Sequence, residues 1–192
     1  MTDEPKEKEE QQDPARTEYE RGQDFLKKGD LAQAANAFHN ALIGFEQKGD
    51  HGGVANASDK LGDVCLQRQE YAAARDHYQR AYEICEAEKD LFSVMSLKKK
   101  LANTYRGLKE FDVAIELHLD LLDIFREFKN PRRSVEILES LAEIHLEKGD
   151  RDKAADTYRT AASIHANFKH QRLAAQLRAK AEAAIKGENS QT

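Results

Sequence analysis

The chain has 192 residues, 40% of them hydrophobic and 34% charged, with a formal net charge of −5 at neutral pH. That length suits one ordinary domain or one short repeat array, and the acidic balance speaks against nonspecific nucleic-acid binding. No apolar run is long enough to span a membrane, and residues 1–13 carry no apolar core of a secretory signal, so neither is expected.

Residues 1–13 hold six acidic and two basic side chains and are expected to form a disordered acidic tail. Asp13-Pro14 reads as an N-cap followed by proline at the first helical position. The first helix then runs to about Lys28, and Gly29-Asp30 turns the chain. A second helix from Leu31 places Ala34, Ala35, Phe38, Ala41, Leu42 and Phe45 three and four residues apart, the spacing of one helical face. Lys48-Gly49-Asp50 ends it, with glycine suited to the left-handed position after a helix. The same pair recurs at 51–68 and 71–88, at 91–108 and 111–128, and at 131–147 and 151–168. The repeats span about 14–50, 51–90, 91–130 and 131–170. A final helix at 171–186, with Leu173, Ala174, Leu177, Ala181 and Ala184 on one face, reads as a cap over the last apolar surface. Residues 187–192 are read as a second loose tail.

The recurrence itself is explicit. Leu31-Ala34-Phe38-Ala41 is followed forty residues later by Tyr71-Ala74-Tyr78-Ala81, then by Phe111-Ala114-His118-Leu121, then by Arg151-Ala154-Tyr158-Ala161. Gly22 and Phe25, Gly62 and Cys65, Ala102 and Tyr105, and Ala142 and His145 keep the same register upstream. A fixed period of this size marks stacked supersecondary units, none of which can bury its apolar face alone. Cys65 and Cys85 fall at positions that are aromatic in other repeats and are expected to be buried free thiols.

These residues resemble the tetratricopeptide repeat family. Gly22, Phe25, Gly29-Asp30, Leu31, Ala34, Phe38 and Ala41 match its pattern closely. Gly62, Tyr71, Ala74, Tyr78 and Ala81 repeat the match, and His118, Leu121, His145 and Arg151 depart from it. The forty-residue spacing is similar to that of kinesin light chains and some bacterial signalling proteins, against thirty-four residues in the commonest form. The resemblance implies an all-α, right-handed α-solenoid of four helix pairs plus a C-terminal capping helix. It also implies binding of a peptide or protein segment along the concave face made by the first helices.

On the third pair's first helix, Leu97, Leu101, Tyr105 and Leu108 form the packing stripe. Lys99, Asn103 and Arg106 lie nearly opposite, where the groove is expected. The equivalent positions are Tyr19, Gln23 and Leu26, then Asp59, Asp63 and Leu66, then Glu139, Glu143 and Leu146. Residues 91–109 contain Lys98, Lys99, Lys100, Arg106 and Lys109 and no acid, a candidate seat for a carboxylate-bearing partner. Some members of the family grip a C-terminal carboxylate with Lys and Asn four apart on one helix. Lys99 and Asn103 fit that pair, and Ser140 and Lys180 fall at the helper positions, with Gln176 where a basic residue is expected.

No phosphate loop, dinucleotide fingerprint, nucleophile elbow or zinc spacing occurs among these residues, and the seven histidines are scattered. The expectation is therefore a cytoplasmic, non-enzymatic interaction scaffold or adaptor with no cofactor and no metal. Its partner would be a protein or peptide, acidic or ending in a free carboxylate, with no nucleic acid and no membrane insertion. The alternative is a self-assembling structural repeat protein, a homo-oligomer, or the regulatory subunit of a larger complex.

Overall fold

The computed structural model of the chain describes residues 13–187. Apart from Asp13 and Gly187, the two expected tails lie outside the described residues. Among these residues there are nine helices and no strand: α1 (Pro14–Lys27), α2 (Leu31–Lys48), α3 (His51–Gln67), α4 (Tyr71–Ala87), α5 (Leu91–Gly107), α6 (Phe111–Glu127), α7 (Pro131–Lys148), α8 (Arg151–Asn167) and α9 (Gln171–Lys186). The boundaries agree with the apolar spacing to within a residue.

Turns of two or three residues join the helices, and much of their chemistry is legible in the sequence. Asp30 shows the device. Its backbone N–H donates to the Phe25 carbonyl at 3.0 Å, closing the end of α1, while its side chain accepts from the N–H of Gln33 and caps α2. Asp50 and Asn130 serve both ends in the same way. Asp13 caps α1 through the N–H of Ala15, as its place before Pro14 implies. Each such cap contributes about 1 kcal/mol.

From α2 onward, the residue before each N-cap turns left-handed, whether or not the N-cap side chain itself caps the helix. Gly29, Gly49 and Gly149 do so freely, with φ of 77°, 69° and 92°. Gln69, Lys89, Lys109, Lys129 and Lys169 adopt the same conformation with φ between 50° and 61°, although each carries a Cβ. The Cβ costs about 1–2 kcal/mol per residue in that region, so these positions are strained.

The helices form two compact units, divided between Glu88 and Lys89. In the first, α1 to α4 pack each on the next, and Ala34, Phe38, Ala41, Phe45, Leu61 and Val64 form the core. In the second, α5 to α9 do the same around Leu121, Leu138, Ala154, Tyr158, Ala161 and Leu177. Each unit thus stacks antiparallel helices in the manner of an α-solenoid.

Ala34, Ala74, Ala114 and Ala154 are all fully buried. A small residue there lets helix axes approach to roughly 8–10 Å. Gly22 and Gly62 serve the same end from the partner helix. A Cβ at Gly22 would stand 2.7 Å from the Phe38 ring, and one at Gly62 would stand 2.5 Å from that of Tyr78. On α9, Ala174, Leu177, Ala181 and Ala184 are buried as the cap reading requires, but Leu173 is 43% exposed. It sits within the first turn, where it points away from the buried stripe.

Two predictions follow from these contacts and turns. Ala114→Leu lowers stability by about 1–3 kcal/mol through overpacking, seen as a lower chemical-denaturation midpoint, while Ala73→Leu at an exposed site of α4 leaves the midpoint unchanged. Lys109→Gly raises stability by about 0.5–1 kcal/mol, because relief of left-handed strain outweighs glycine's entropy cost; an unchanged or lower midpoint would refute the strain.

Candidate functional site

In the second unit, the first helices of successive pairs lie side by side and are linked by charge. Arg106 of α5 reaches α7, donating from Nε and Nη2 to Glu147 Oε1 at 3.0 and 2.5 Å and from Nη1 to Glu143 Oε2 at 3.1 Å. Lys180 of α9 donates to Glu139 Oε2 of α7 at 3.1 Å and lies 5.6 Å from the centroid of the Tyr158 ring. Burial, followed by the nearby Glu143 and Glu139 carboxylates, pushes the Tyr158 phenol up to about 12. The face made by α5, α7 and α9 is therefore an alternating ladder of basic and acidic side chains.

This ladder changes the roles of the sequence candidates. Helix α5 carries no acid of its own, but α7 supplies two to Arg106. Glu139, Glu143 and Lys180 are likewise paired, and the Ser140 hydroxyl donates to the Glu136 carbonyl of its own helix at 3.2 Å. Lys98, beside the stripe, donates to Asp120 of α6 at 2.7 Å. Lys99 and Asn103 are exposed, and among the described residues neither has an ion-pair or side-chain hydrogen-bond partner. A cavity of about 330 Å³ opens next to the Lys180–Glu139 pair, lined by those two residues, His165, Leu173, Gln176 and Leu177.

In the first unit, Tyr19 is occupied by packing, its ring 5.6 Å from Phe38 and 6.4 Å from Phe45 between centroids. Gln23, Asp59 and Asp63 are half-buried. Asp63 accepts from the Tyr78 hydroxyl at 2.9 Å and from Lys60 at 3.0 Å. Asp63 thus holds the tyrosine at the centre of the second pair.

The histidines divide by burial. His118 is fully buried; its Nδ1 donates to the Ala114 carbonyl at 2.8 Å, and Nε2 has no partner. Burial pulls its pKa below the ordinary 6.5, with Arg106 and Lys99 pulling the same way, against the Ala114 carbonyl. Burial also lowers that of His145, only partly offset by Asp150. His165 and His170, distant in helical register, meet across the α8–α9 turn with their Nδ1 atoms 3.4 Å apart. Among the described residues, no three His, Cys, Asp or Glu side chains converge as a metal site requires. Cys65 and Cys85 are both buried, and no disulfide joins them.

The tetratricopeptide repeat profile matches residues 13–87 and 93–167. The chain belongs to the tetratricopeptide repeat family. Among solved structures, this repeat protein is similar to the kinesin light chain-type repeats of Podosopora anserina, with a TM-score of 0.77 and 14% identity over 92% of this chain and 90% of that one. It is similar to the apo form of RapI, with a TM-score of 0.72 and 16% identity over 95% and 69% of the two chains. A Rap protein complexed with Competence and Sporulation Factor gives 0.67 and 14% over 89% of this chain, which spans about half of that protein, 48%. At these identities the likeness concerns the fold, which is the α-solenoid class expected from the sequence. No curated protein matches. No helix among the described residues is long and apolar enough to cross a membrane.

The buried imidazoles set a pH dependence. His118 and His145 have folded-state pKa values below the unfolded 6.5, so the unfolded chain binds more protons at mildly acid pH. Their contribution to stability is complete above 6.5 and declines as pH falls from there toward the folded values. Thermal midpoints should therefore drop between pH 7.5 and 5.5, roughly one unit either side of the free imidazole value. His118→Phe, which restores the aromatic of the first pair, should flatten the decline. An equally steep profile in the variant would refute the assignment.

Proposed function

We propose that this tetratricopeptide repeat protein is a non-enzymatic interaction scaffold that holds an extended protein segment against the face of α5, α7 and α9. The family supports a protein partner. The observation that carries the finer reading is the pair Lys99 and Asn103. They stand four residues apart on one exposed stripe without partners, while every charged neighbour considered above is already neutralised.

An ammonium and a side-chain amide at this spacing suit a carboxylate and an adjacent peptide group. Lys99 would donate to an acidic side chain or a chain-terminal carboxylate, and Asn103 would donate to and accept from the ligand backbone. Ser140 and Lys180 would extend the contact across α7 and α9, and the Leu173–Leu177 cavity would take an apolar side chain. Arg106 contributes by holding α5 against α7, so a ligand would reach it only by displacing Glu143 and Glu147. A cytoplasmic setting belongs to the same reading, since two unbridged thiols suit a reducing compartment.

The test is calorimetric titration with a segment of the partner recovered by affinity capture. Charge-assisted hydrogen bonds contribute about 1.5–3 kcal/mol, so Lys99→Ala should weaken binding by about tenfold or more, most strongly at low salt. Lys186→Ala, near the end of α9, should leave the affinity unchanged. Equal losses in both variants would mean that only diffuse charge acts, and no loss in either would place the ligand elsewhere.

A further inference from the structure

Phe92, Phe128 and Phe168 leave 81%, 58% and 55% of their surface exposed. All belong to the second unit and to one edge of it, where the second helix of a pair ends and the next first helix begins. Phe92 is the second residue of α5, and Phe128 and Phe168 are the C-caps of α6 and α8. The fold does not need aromatics there. The repeat positions of Phe128 and Phe168 hold Lys48 and Glu88 in the first unit, and those of Phe92 hold Gly52, Arg132 and Arg172.

Beside Phe168 lies a cavity of about 350 Å³ with an apolar wall of Phe125, Pro131, Ile164 and Phe168. Arg126 and Lys129 supply its charged lining, and no carboxylate lines it. Arg126 pairs with the exposed Asp123 at 3.2 Å. Lys129, and Lys169 and Arg172 on the neighbouring turn, form no ion pair among the described residues. An exposed apolar slot bordered by Lys129, Lys169 and Arg172 without ion pairs among the described residues fits an occupant of negative charge.

We propose that this edge is a second docking site, separate from the α5–α7–α9 face, for an acidic protein segment that inserts one bulky apolar side chain. The anchor would be a leucine, phenylalanine or tryptophan seated between Phe125, Ile164 and Phe168. Flanking aspartates or glutamates would pair with Lys129 and Lys169, and Phe128 would cover the segment beyond the slot. Two sites on different surfaces would let one copy join two partners, which a groove alone does not provide.

The full chain is the bait for a displayed random peptide library, and selected peptides are synthesised with a fluorophore for anisotropy titration. Peptides carrying a bulky apolar residue flanked by acids should be selected. Their affinity should fall about tenfold or more with Phe168→Ser, as for an anchor contact, and clearly with Lys129→Glu, while Lys99→Ala leaves it unchanged. Circular dichroism melting checks that Phe168→Ser folds; should it not, Lys129→Glu decides alone. Three results would overturn the proposal: no such peptides selected, affinities indifferent to Phe168 and Lys129, or a dimer in sedimentation that Phe168→Ser dissolves, which would make the occupant a second copy. Loss of binding with Lys99→Ala alone would leave the groove reading intact and remove this one.

Discussion

The close approach of two helices beneath an aromatic ring is the contact on which the rest of this structure depends. Gly22 and Gly62 leave room for the rings of Phe38 and Tyr78 that not even a Cβ could share. Ala102 and Ala142, at the same register, are completely buried on their helices. With Ala34, Ala74, Ala114 and Ala154 on the opposing helices, these residues set the separation of each pair. Larger side chains would push the helices apart and expose the rings. A single pair formed this way still shows an apolar flank, so the next pair has to cover it, and α9 covers the last.

Close packing of this kind demands short, identical turns. The dual use of Asp30, Asp50 and Asn130 meets that demand, because one residue completes one helix and starts the next. A cost appears just before the N-caps of α4, α5, α6, α7 and α9, where a non-glycine residue holds a left-handed conformation. Tertiary packing over-determines those turns, so the strain persists. The outcome is a fixed forty-residue step that brings equivalent positions of successive first helices onto a common face within each unit.

What that face can do depends on which of its charges remain unanswered. Arg106, Glu143, Glu147, Glu139 and Lys180 answer one another across α5, α7 and α9, stiffening the face while cancelling its charge. Partly exposed pairs of this kind add little stability individually, but they align three helices. Lys99 and Asn103 stand outside the ladder. The edge of exposed phenylalanines is the complementary case: apolar surface that packing does not require, bordered by Lys129, Lys169 and Arg172, which form no ion pair among the described residues.

Helix positions, turn positions, the Asp13 cap and the buried alanine stripe were readable in the sequence, because each depends on local chemistry or on a period that recurs four times. Proline at the first position of a helix and alanine at every fortieth residue mean the same thing wherever they stand. The site was readable only in part. Lys99 and Asn103 could be found from their spacing along one helix, but the capture of Arg106 by acids thirty-seven and forty-one residues away could not. Nor could the engagement of Tyr19 with two rings of α2, the exposure of Leu173, or the meeting of His165 with His170. A repeat specifies which residues occupy equivalent places. Which side chain reaches which neighbour depends on the distance and rotation between helices, and packing alone decides those.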